Sequence, residues 1–267
     1  MRGSLLQQTC LSTDLPEALV RLVTGPKNRA VSFTPSPVQV WVAAAGDLLL
    51  GASCHGCGAP WWGVCPDCRQ LLSARRPRWT RPDPCPAGFP PTITSSAYDP
   101  VLRGMINAHK ERQALGLTGV LADRLAGSIH VLLTALCHSE YEPVVLVPVP
   151  SAARAVRRRG FDATLAMARS AARRLRVRYP ISVAATLVQT RGMRDQAGLD
   201  AQARQANLAG GFRLRGPIPT VPTVLVDDLV TTGSSLSEAA RALRGAGVAV
   251  HGAATVAATE RAGQRDR

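Results

Sequence analysis

The chain of 267 residues is long enough to bury a complete hydrophobic core and to carry a small additional module. Its 32 basic and 18 acidic side chains give a formal charge of +14 at pH 7, which favours polyanionic partners. An arginine-rich composition inherited from a GC-rich genome explains the charge equally well. Since no apolar run reaches the roughly 18 residues of a spanning helix, and the N-terminus lacks the pattern of a secretory signal, we expect a cytoplasmic protein without a membrane span.

Residues 1–43 form an N-terminal extension whose structure is poorly determined by the sequence. The stretch from Gly25 to Pro37 is rich in Gly, Pro, Ser and Thr, which indicates loop or disorder. A start codon placed too far upstream explains the extension equally well, and we assign it no function.

Four of the seven cysteines form two closely spaced pairs, Cys54 with Cys57 and Cys65 with Cys68. Two such Cys-x-x-Cys pairs can bring four thiolates to one tetrahedral centre, for which Zn²⁺ is the usual ion. Because four thiolates fill every coordination position, we expect a structural ion in a compact zinc ribbon at residues 44–72. Buried or redox-active thiols are the alternative interpretation.

The segment that follows, residues 73–91, is predicted to be an extended linker. It holds six prolines and four arginines between Arg75 and Pro91, a composition typical of connecting segments.

Residues 92–267 alternate strand and helix patterns, which predicts an α/β domain built on a parallel sheet. A strand at 92–97 leads into a helix that ends near Lys110, and a second helix is expected at 117–136. His109 and Lys110 are explained by the favourable interaction of cations with a helix C-terminus, and a site role for Lys110 is the weaker alternative.

An arginine cluster follows a second buried strand, which starts at Val144 and is stopped by Pro148 and Pro150. Guanidinium groups at a strand end suit pyrophosphate, and the candidates for this role are Arg154 and Arg157. An exposed basic turn is the alternative. After a helix at about 163–178, a polar segment containing Arg191, Gln196 and Arg204 has the composition of a mobile lid or of a solvated helix–turn.

The pattern most informative about function runs from Val224 to Ser235. Apolar residues 224–226 predict a buried strand, and the two carboxylates of Asp227 and Asp228 follow it. A hydroxyl-rich turn then precedes a helix with apolar residues at Leu236, Ala239, Ala240 and Leu243. Such a turn leaves backbone N–H groups free for an anion, and carboxylates can accept from sugar hydroxyls or hold Mg²⁺ through water. The sequence therefore predicts a site for a phosphorylated sugar, and an ordinary capped strand–turn–helix is the alternative. A last strand at 248–256 completes the domain.

This motif resembles the phosphoribosyl pyrophosphate (PRPP) site of type I phosphoribosyltransferases. The resemblance implies that Asp227 and Asp228 contact the ribose hydroxyls. It also implies that the 5-phosphate is bound by Thr231, Thr232, Gly233, Ser234 and Ser235.

Over about residues 44–258 the chain is similar to the ComF family of competence proteins. The features that carry the resemblance are the cysteine pairs, residues 98–110, Val147–Pro150, Arg159-Gly-Phe161, the 196–207 segment and the PRPP-like motif. The family usually has Asn where Asp162 stands here, in the segment after Gly160-Phe161. Membership implies a type I phosphoribosyltransferase-like, Rossmann-like domain (residues 92–267) behind a zinc ribbon, and an association with incoming single-stranded DNA.

Three functions are compatible with these patterns. The first is phosphoribosyl transfer from Mg²⁺–PRPP to an unidentified nitrogen nucleophile, with Arg154, Arg157 and Arg191 on the pyrophosphate side. The second is a non-catalytic adaptor that handles single-stranded DNA, together with DNA-processing proteins, and retains a PRPP-like pocket. The third is a regulator that senses PRPP without turnover.

Overall fold

The computed structural model describes residues 53–190 and 210–259. Its helices are α1 (Pro66–Ala74), α2 (Pro100–Glu111), α3 (Leu117–Ala135), α4 (Ala153–Arg159), α5 (Ala163–Leu175) and α6 (Ser234–Gly245). Its strands are β1 (Arg78–Thr80), β2 (Thr92–Ala97), β3 (Val144–Pro148), β4 (Ile181–Val183), β5 (Leu187–Gln189), β6 (Phe212–Leu214), β7 (Thr223–Val230) and β8 (Val250–Ala258). Arg191, Gln196 and Arg204, and with them the predicted lid, lie outside the described residues, as does the extension at 1–43.

A six-stranded sheet with the order β1-β2-β8-β7-β3-β4 forms the centre of the protein. Every neighbouring pair in it is parallel except β1 and β2, which are antiparallel. The four central strands β2, β8, β7 and β3 are almost entirely buried, as expected for parallel strands covered on both faces. The mostly parallel sheet, with a four-cysteine cluster before it, confirms the predicted α/β class. It is consistent with a phosphoribosyltransferase-like fold behind a zinc ribbon.

Two hydrophobic clusters show that helices cover both faces of this sheet. Val224 and Val226 of β7 pack in one cluster with apolar side chains of α2, α3 and α5. The intervening Leu225 packs in the other cluster, together with α6 and the β5–β6 hairpin. This alternation follows from the two-residue period of a strand. Residues 224, 226 and 228 therefore share the face of the sheet that α2 covers.

The chain connections reverse direction between β7 and β3. From β3, helices α4 and α5 lead to β4 on one side, whereas α6 leads from β7 to β8 on the other side. In open α/β sheets, ligands bind outside the carboxyl ends of the strands at such a switch point. The carboxyl end of β7 is the part of the predicted motif that lies there.

β7 is longer than the apolar run that predicted it. The strand continues through Asp227 and Asp228 because its ladder with β8 extends to the pair Val230–Ala258. On the other side, the last residue paired with β3 is Val226, opposite Pro148. Since prolines cannot donate to a ladder, β3 leaves the sheet, and among the described residues no strand pairs with the acidic end of β7 on that side.

Part of the predicted linker belongs to the sheet. Residues 78–80 form β1, whose register places Trp79 opposite Ile93 of β2. The helix predicted at 163–178 ends at Leu175, and the last strand runs two residues later than predicted. The boundaries of the predicted units remain predictions. Within the described part of the chain, no helix combines the length and the apolar character needed to span a membrane.

Candidate functional site

Asp227 and Asp228 lie side by side near the carboxyl end of β7. Asp227 is half-buried, whereas Asp228 is only 2% exposed. The backbone N–H of Asp228 donates to Oδ1 of Asp227 at 2.8 Å, which orients that carboxylate towards its neighbour. Because successive strand residues point to opposite faces, Asp228 points to the side of α2.

Lys110 of α2 meets Asp228 in this position. Its Nζ lies 2.5 Å from Oδ2 of Asp228. Burial by itself would raise the pKa of Asp228, but the charge of Lys110 and the hydrogen bonds with Lys110 and Asp227 together outweigh burial, and the pKa is lowered. Burial and the neighbouring Asp228 raise the pKa of Asp227 well above its usual range. The interpretation of Lys110 as a simple helix cap was therefore incomplete, since its charge is paired with the acidic residues of the motif.

The turn after β7 presents unpaired backbone donors. Among the described residues, no hydrogen bond is donated by the N–H groups of residues 231–235. The amide of Ser237 closes the first helical bond to Gly233, and no side chain caps α6. The hydroxyls of Thr232 and Ser234 lie 3.0 Å apart and orient each other. Free amides at the positive end of a helix dipole can bind an anion.

Gly233 is required at this turn for two reasons. Its φ of +75° falls in the left-handed region that favours glycine. A Cβ at this position would also lie 2.7 Å from Phe89 and from Pro82. Both neighbours come from the segment predicted to be a linker, which is held to α6 by a hydrogen bond from Arg244 to the carbonyl of Gly88. This segment therefore packs against the anion-binding turn, a contact that composition alone did not indicate.

The arginine cluster after β3 divides into exposed and buried members. Arg154 and Arg157 are exposed on α4, and their side chains make no hydrogen bond or ion pair with other described residues. Arg159 is buried and donates to the carbonyls of Ala155 and Lys110. Arg154 and Arg157 thus stay candidates for an anion near the switch point, whereas Arg159 fixes the end of α2.

Asp162, which differs from the Asn usual in the ComF family, caps α5. Its Oδ1 accepts from the amide of Leu165 at 3.1 Å and from the hydroxyl of Ser151 at 3.3 Å. Because Asn and Asp cap helices equally well through the same side-chain oxygen, this difference is compatible with the same loop structure.

The residues that flank 191–209 form an antiparallel hairpin, β5 with β6. Its end lies near the switch point, since the side-chain amide of Gln189 donates to the carbonyl of Pro150 at 3.4 Å. The hairpin is attached to α6 by the buried Glu238, which accepts from the amide of Phe212 at 3.4 Å. The two strands that border the segment containing Arg191 therefore have defined positions, and the role of Arg191 itself remains a prediction.

The four predicted ligands Cys54, Cys57, Cys65 and Cys68 converge. Their Sγ atoms all lie within 4.8 Å of one another, and no other group of this kind occurs in residues 53–190 and 210–259. Backbone N–H groups of Gly56 and Cys65 donate to the sulfur of Cys54, as is common for thiolate ligands. Cys65 caps α1 and accepts from the amide of Cys68, so the second pair lies at the start of a helix.

The negative charge that these cysteines carry as thiolates favours a bound cation. Burial opposes ionisation of Cys54, but backbone hydrogen bonds outweigh it and lower its pKa to about 7. Burial raises the pKa of Cys65 and of Cys68, so four thiolates are not stable together without a positive charge. Four sulfurs at these separations fit a tetrahedral Zn²⁺, and the cluster could bind one.

The cysteine cluster packs directly against α2. A Cβ on Gly104 would lie 2.4 Å from the carbonyl oxygen of His55, and one on Gly56 would lie 2.8 Å from the side chain of Met105. Two glycines thus allow the backbone of the first cysteine pair to approach the helix. Since Lys110 lies in the last turn of the same helix, the cysteine cluster and the acidic pair contact different halves of one rigid element.

No protein-family model matches the chain. Curated proteins similar to it include several called DNA utilization protein YhgH. The one from Escherichia coli strain K12 is 29% identical over 190 residues, which cover 71% of this chain and 77% of that protein. The one from Salmonella typhimurium is 28% identical over 196 residues, covering 68% and 84%. The one from Shigella flexneri is 28% identical over 190 residues, covering 71% and 77%.

Proposed function

We propose that the protein binds PRPP, or a closely related phosphorylated sugar, at the carboxyl end of β7 and transfers or senses its phosphoribosyl group. The observation that supports this most directly is the acidic pair of β7, which is followed by a turn of unpaired amides at the start of α6. Carboxylates that can accept from sugar hydroxyls come first along the chain, and amides that can bind a phosphate follow them. This is the arrangement that a ribose 5-phosphate requires. The resemblance to type I phosphoribosyltransferases rests on the same residues.

In this proposal, Asp227 and Asp228 accept hydrogen bonds from the ribose 2- and 3-hydroxyls. Residues 231–235 bind the 5-phosphate through their amides and hydroxyls. Arg154, Arg157 and Arg191 are assigned the role of neutralising a leaving pyrophosphate, as the sequence suggests. A Mg²⁺ bound together with PRPP would neutralise charge on the pyrophosphate.

The reaction requires little covalent participation by the protein. The bond from C1 of the ribose to the pyrophosphate oxygen breaks, and pyrophosphate leaves with the electron pair. A nitrogen nucleophile then forms the new bond to C1 and loses a proton. The chain would contribute by orienting the ribose and by stabilising the charge of the leaving group. The nucleophile is not specified by these residues.

A role in DNA handling is the second candidate, because the relatives are named DNA utilization proteins. The formal charge of +14 suits contact with a polyanionic backbone. The exposed residues Arg169 and Arg173 of α5 and Arg176 at its C-terminal end share one helix face at helical spacing. The protein would then retain the sugar-phosphate site as a sensor, or use DNA as the acceptor.

The decisive experiment is a measurement of pyrophosphate release from Mg²⁺–PRPP in the presence of nucleobases, ammonia or single-stranded DNA. Release with one acceptor would support transfer. Binding of PRPP without release would support sensing. Gel shifts with single-stranded DNA at about 50 and 200 mM salt test the adaptor function. Tight binding that weakens steeply with salt, without pyrophosphate release, would support it, since contacts with several phosphates are strongly salt-dependent.

Replacement of Asp228 tests the site itself. Asp228→Asn removes a charged acceptor, so we expect affinity for PRPP to fall by roughly ten- to a hundredfold, about 1.5–3 kcal/mol. Calorimetry measures this change. Asp123→Asn is the matched control, because Asp123 is an exposed carboxylate of α3 that pairs with Arg174. Equal dissociation constants for the unmodified protein and Asp228→Asn would refute the assignment.

A further inference from the structure

We propose that Lys110 is a positioning residue for sugar recognition: its ammonium is the internal counter-ion of Asp228 and holds that carboxylate in place for the ligand hydroxyls. This inference rests on the sugar-phosphate site proposed above and adds to it a residue from a different part of the chain. Helices α3 to α5 and strands β3 to β6 separate Lys110 from the motif along the sequence.

The exposure of the two side chains indicates which partner depends on the other. The side chain of Asp228 is 3% exposed, whereas that of Lys110 is 30% exposed, and Nζ lies 2.5 Å from Oδ2. A carboxylate so deeply buried is strongly disfavoured in its charged form unless a counter-ion accompanies it. The side chain of Lys110 as a whole keeps part of its surface in contact with solvent. Lys110 is thus placed to stabilise the charge of the more deeply buried Asp228.

Lys110 is itself fixed by contacts with the far side of the switch point. Its backbone carbonyl accepts from Nη1 of Arg159 at 3.0 Å, and the same Nη1 lies 3.6 Å from Oε1 of Glu111. The side chain of Arg159 is only 5% exposed, and its Nε donates to the carbonyl of Ala155 within α4. Helix α4, which follows β3, therefore holds the end of α2 against β7.

Several charged and titratable groups face this pair. They are Asp227 on β7, Tyr98 after β2, His109 on α2 and Arg159 on α4. Burial lowers the pKa of His109, so this side chain is neutral above its ordinary value of about 6.5. Burial and Asp228 raise the pKa of Tyr98. Neither group changes charge between about pH 6.5 and 8.5, which leaves the acidic pair to determine any pH dependence.

Removal of the Lys110 ammonium would change the pKa of Asp228 from below its ordinary value to above it. The charge and the hydrogen bond of Lys110 are the largest causes that lower this pKa against burial. Without Lys110, burial would raise it, because a buried carboxyl is strongly disfavoured in its charged form. The protonated form would then be populated as the pH falls towards the raised pKa. A protonated carboxyl cannot accept from two hydroxyls as the carboxylate does.

The test compares Lys110→Met and Lys110→Arg with the unmodified full-length chain, using ribose 5-phosphate as the probe. Calorimetry measures the dissociation constant of this probe at about pH 6.5, 7.5 and 8.5. At each pH the constant of a variant is divided by that of the unmodified chain, which cancels the effect of titration of the ligand phosphate. We expect Lys110→Met to bind most weakly at about pH 6.5 and to recover affinity by up to about tenfold per pH unit as the pH rises towards the raised pKa of Asp228. Lys110→Arg keeps the cation and should retain the unmodified pH profile.

A loss of affinity in Lys110→Met that is the same at every pH would overturn the proposal, because it indicates only a structural role. Unchanged affinity would overturn it too. Failure of the unmodified chain to bind ribose 5-phosphate would instead reject the sugar-phosphate site, and this inference with it.

A second measurement keeps the inference testable if Lys110→Met does not fold. The chain contains only two lysines, Lys27 and Lys110, so ¹³C-lysine labelling gives two sets of side-chain NMR signals. Asp228→Asn should shift the εCH₂ signal of one lysine and leave the other in place. Addition of ribose 5-phosphate should shift the same signal. If neither lysine responds to Asp228→Asn, the counter-ion pair does not exist and the proposal is wrong.

Discussion

At the scale of single residues, Gly233 determines whether the turn after β7 can present its amides. The left-handed backbone conformation excludes most side chains by steric clash, and the rings of Phe89 and Pro82 exclude even a methyl group. A substitution here would displace the amides of Ser234 and Ser235 that face the proposed phosphate. Stability and ligand affinity should therefore change together at this position.

Gly233→Ala tests this requirement. We expect a loss of about 1–3 kcal/mol in the free energy of unfolding, together with weaker binding of ribose 5-phosphate. Urea denaturation and calorimetry measure the two effects. Gly245→Ala is the control, because Gly245 ends α6 without a positive φ and a methyl group there would have open space within 4 Å. If Gly233→Ala lowers the free energy of unfolding no more than Gly245→Ala does, glycine is not required at position 233.

At the scale of secondary-structure elements, α2 connects the cysteine cluster with the acidic pair. Gly104, in its first half, contacts the backbone of the first cysteine pair, and Lys110, at its end, contacts Asp228. The N-terminus of α2 is capped by Asp99, which accepts from the amide of Leu102 at 3.0 Å and also pairs with Arg75. Since a helix is stiff over this length, its position is determined by contacts at both ends.

A pair of Gly→Ala substitutions separates helix propensity from this contact. In a helix interior, alanine normally stabilises by about 0.5–1 kcal/mol relative to glycine. We expect that gain at Gly127 of α3, where the nearest neighbour of a methyl group would be Pro77 at 3.5 Å. At Gly104 a methyl group would meet a carbonyl oxygen at 2.4 Å. We therefore expect a net loss of about 1–3 kcal/mol at that position.

Chemical denaturation of the two variants gives these free energies. A stabilising Gly104→Ala would show that the cysteine cluster moves away from α2 without cost, and that the helix does not couple the two sites.

At the scale of the whole molecule, the cysteine cluster and the α/β part share one hydrophobic core. Cys54, Cys65 and Cys68 are buried in the same cluster of side chains as Leu102 and Met105 of α2. That cluster continues into α3, α5 and the central strands. The described residues should therefore unfold together, and a metal bound at the cysteines should stabilise the entire structure.

Removal of zinc by a chelator tests this coupling. We expect one calorimetric transition before and after chelation, with a Tm lowered by more than about 5 °C, since about 1 kcal/mol corresponds to roughly 2–4 °C in a protein of this size. Cys54→Ser should bind no zinc and should be insensitive to the chelator. Cys85→Ser is the control, because Cys85 lies outside the cluster. Two independent transitions, of which only one shifts, would show that the cysteine module is separate.

The sequence alone was sufficient for the features that depend on short-range patterns. Cysteine spacing predicted the four-thiol cluster, an apolar run predicted β3, and apolar periodicity predicted the helices α2, α3 and α6, because these signals lie within a few residues of one another. The order of apolar run, acidic pair and hydroxyl turn likewise located the candidate site within one continuous segment. The three-residue strands escaped detection, since such short pieces have no period to recognise.

Only the tertiary structure decided which distant residues meet at that site. Lys110 had an adequate local explanation as a helix cap, and nothing in its neighbourhood pointed to Asp228. Phe89 and Pro82 belong to a segment whose composition is typical of a linker, yet they pack on Gly233. The physical reason is that strand order and helix packing, which arise from burial of the whole core, determine these contacts. Local propensity carries no information about strands that become neighbours only after folding.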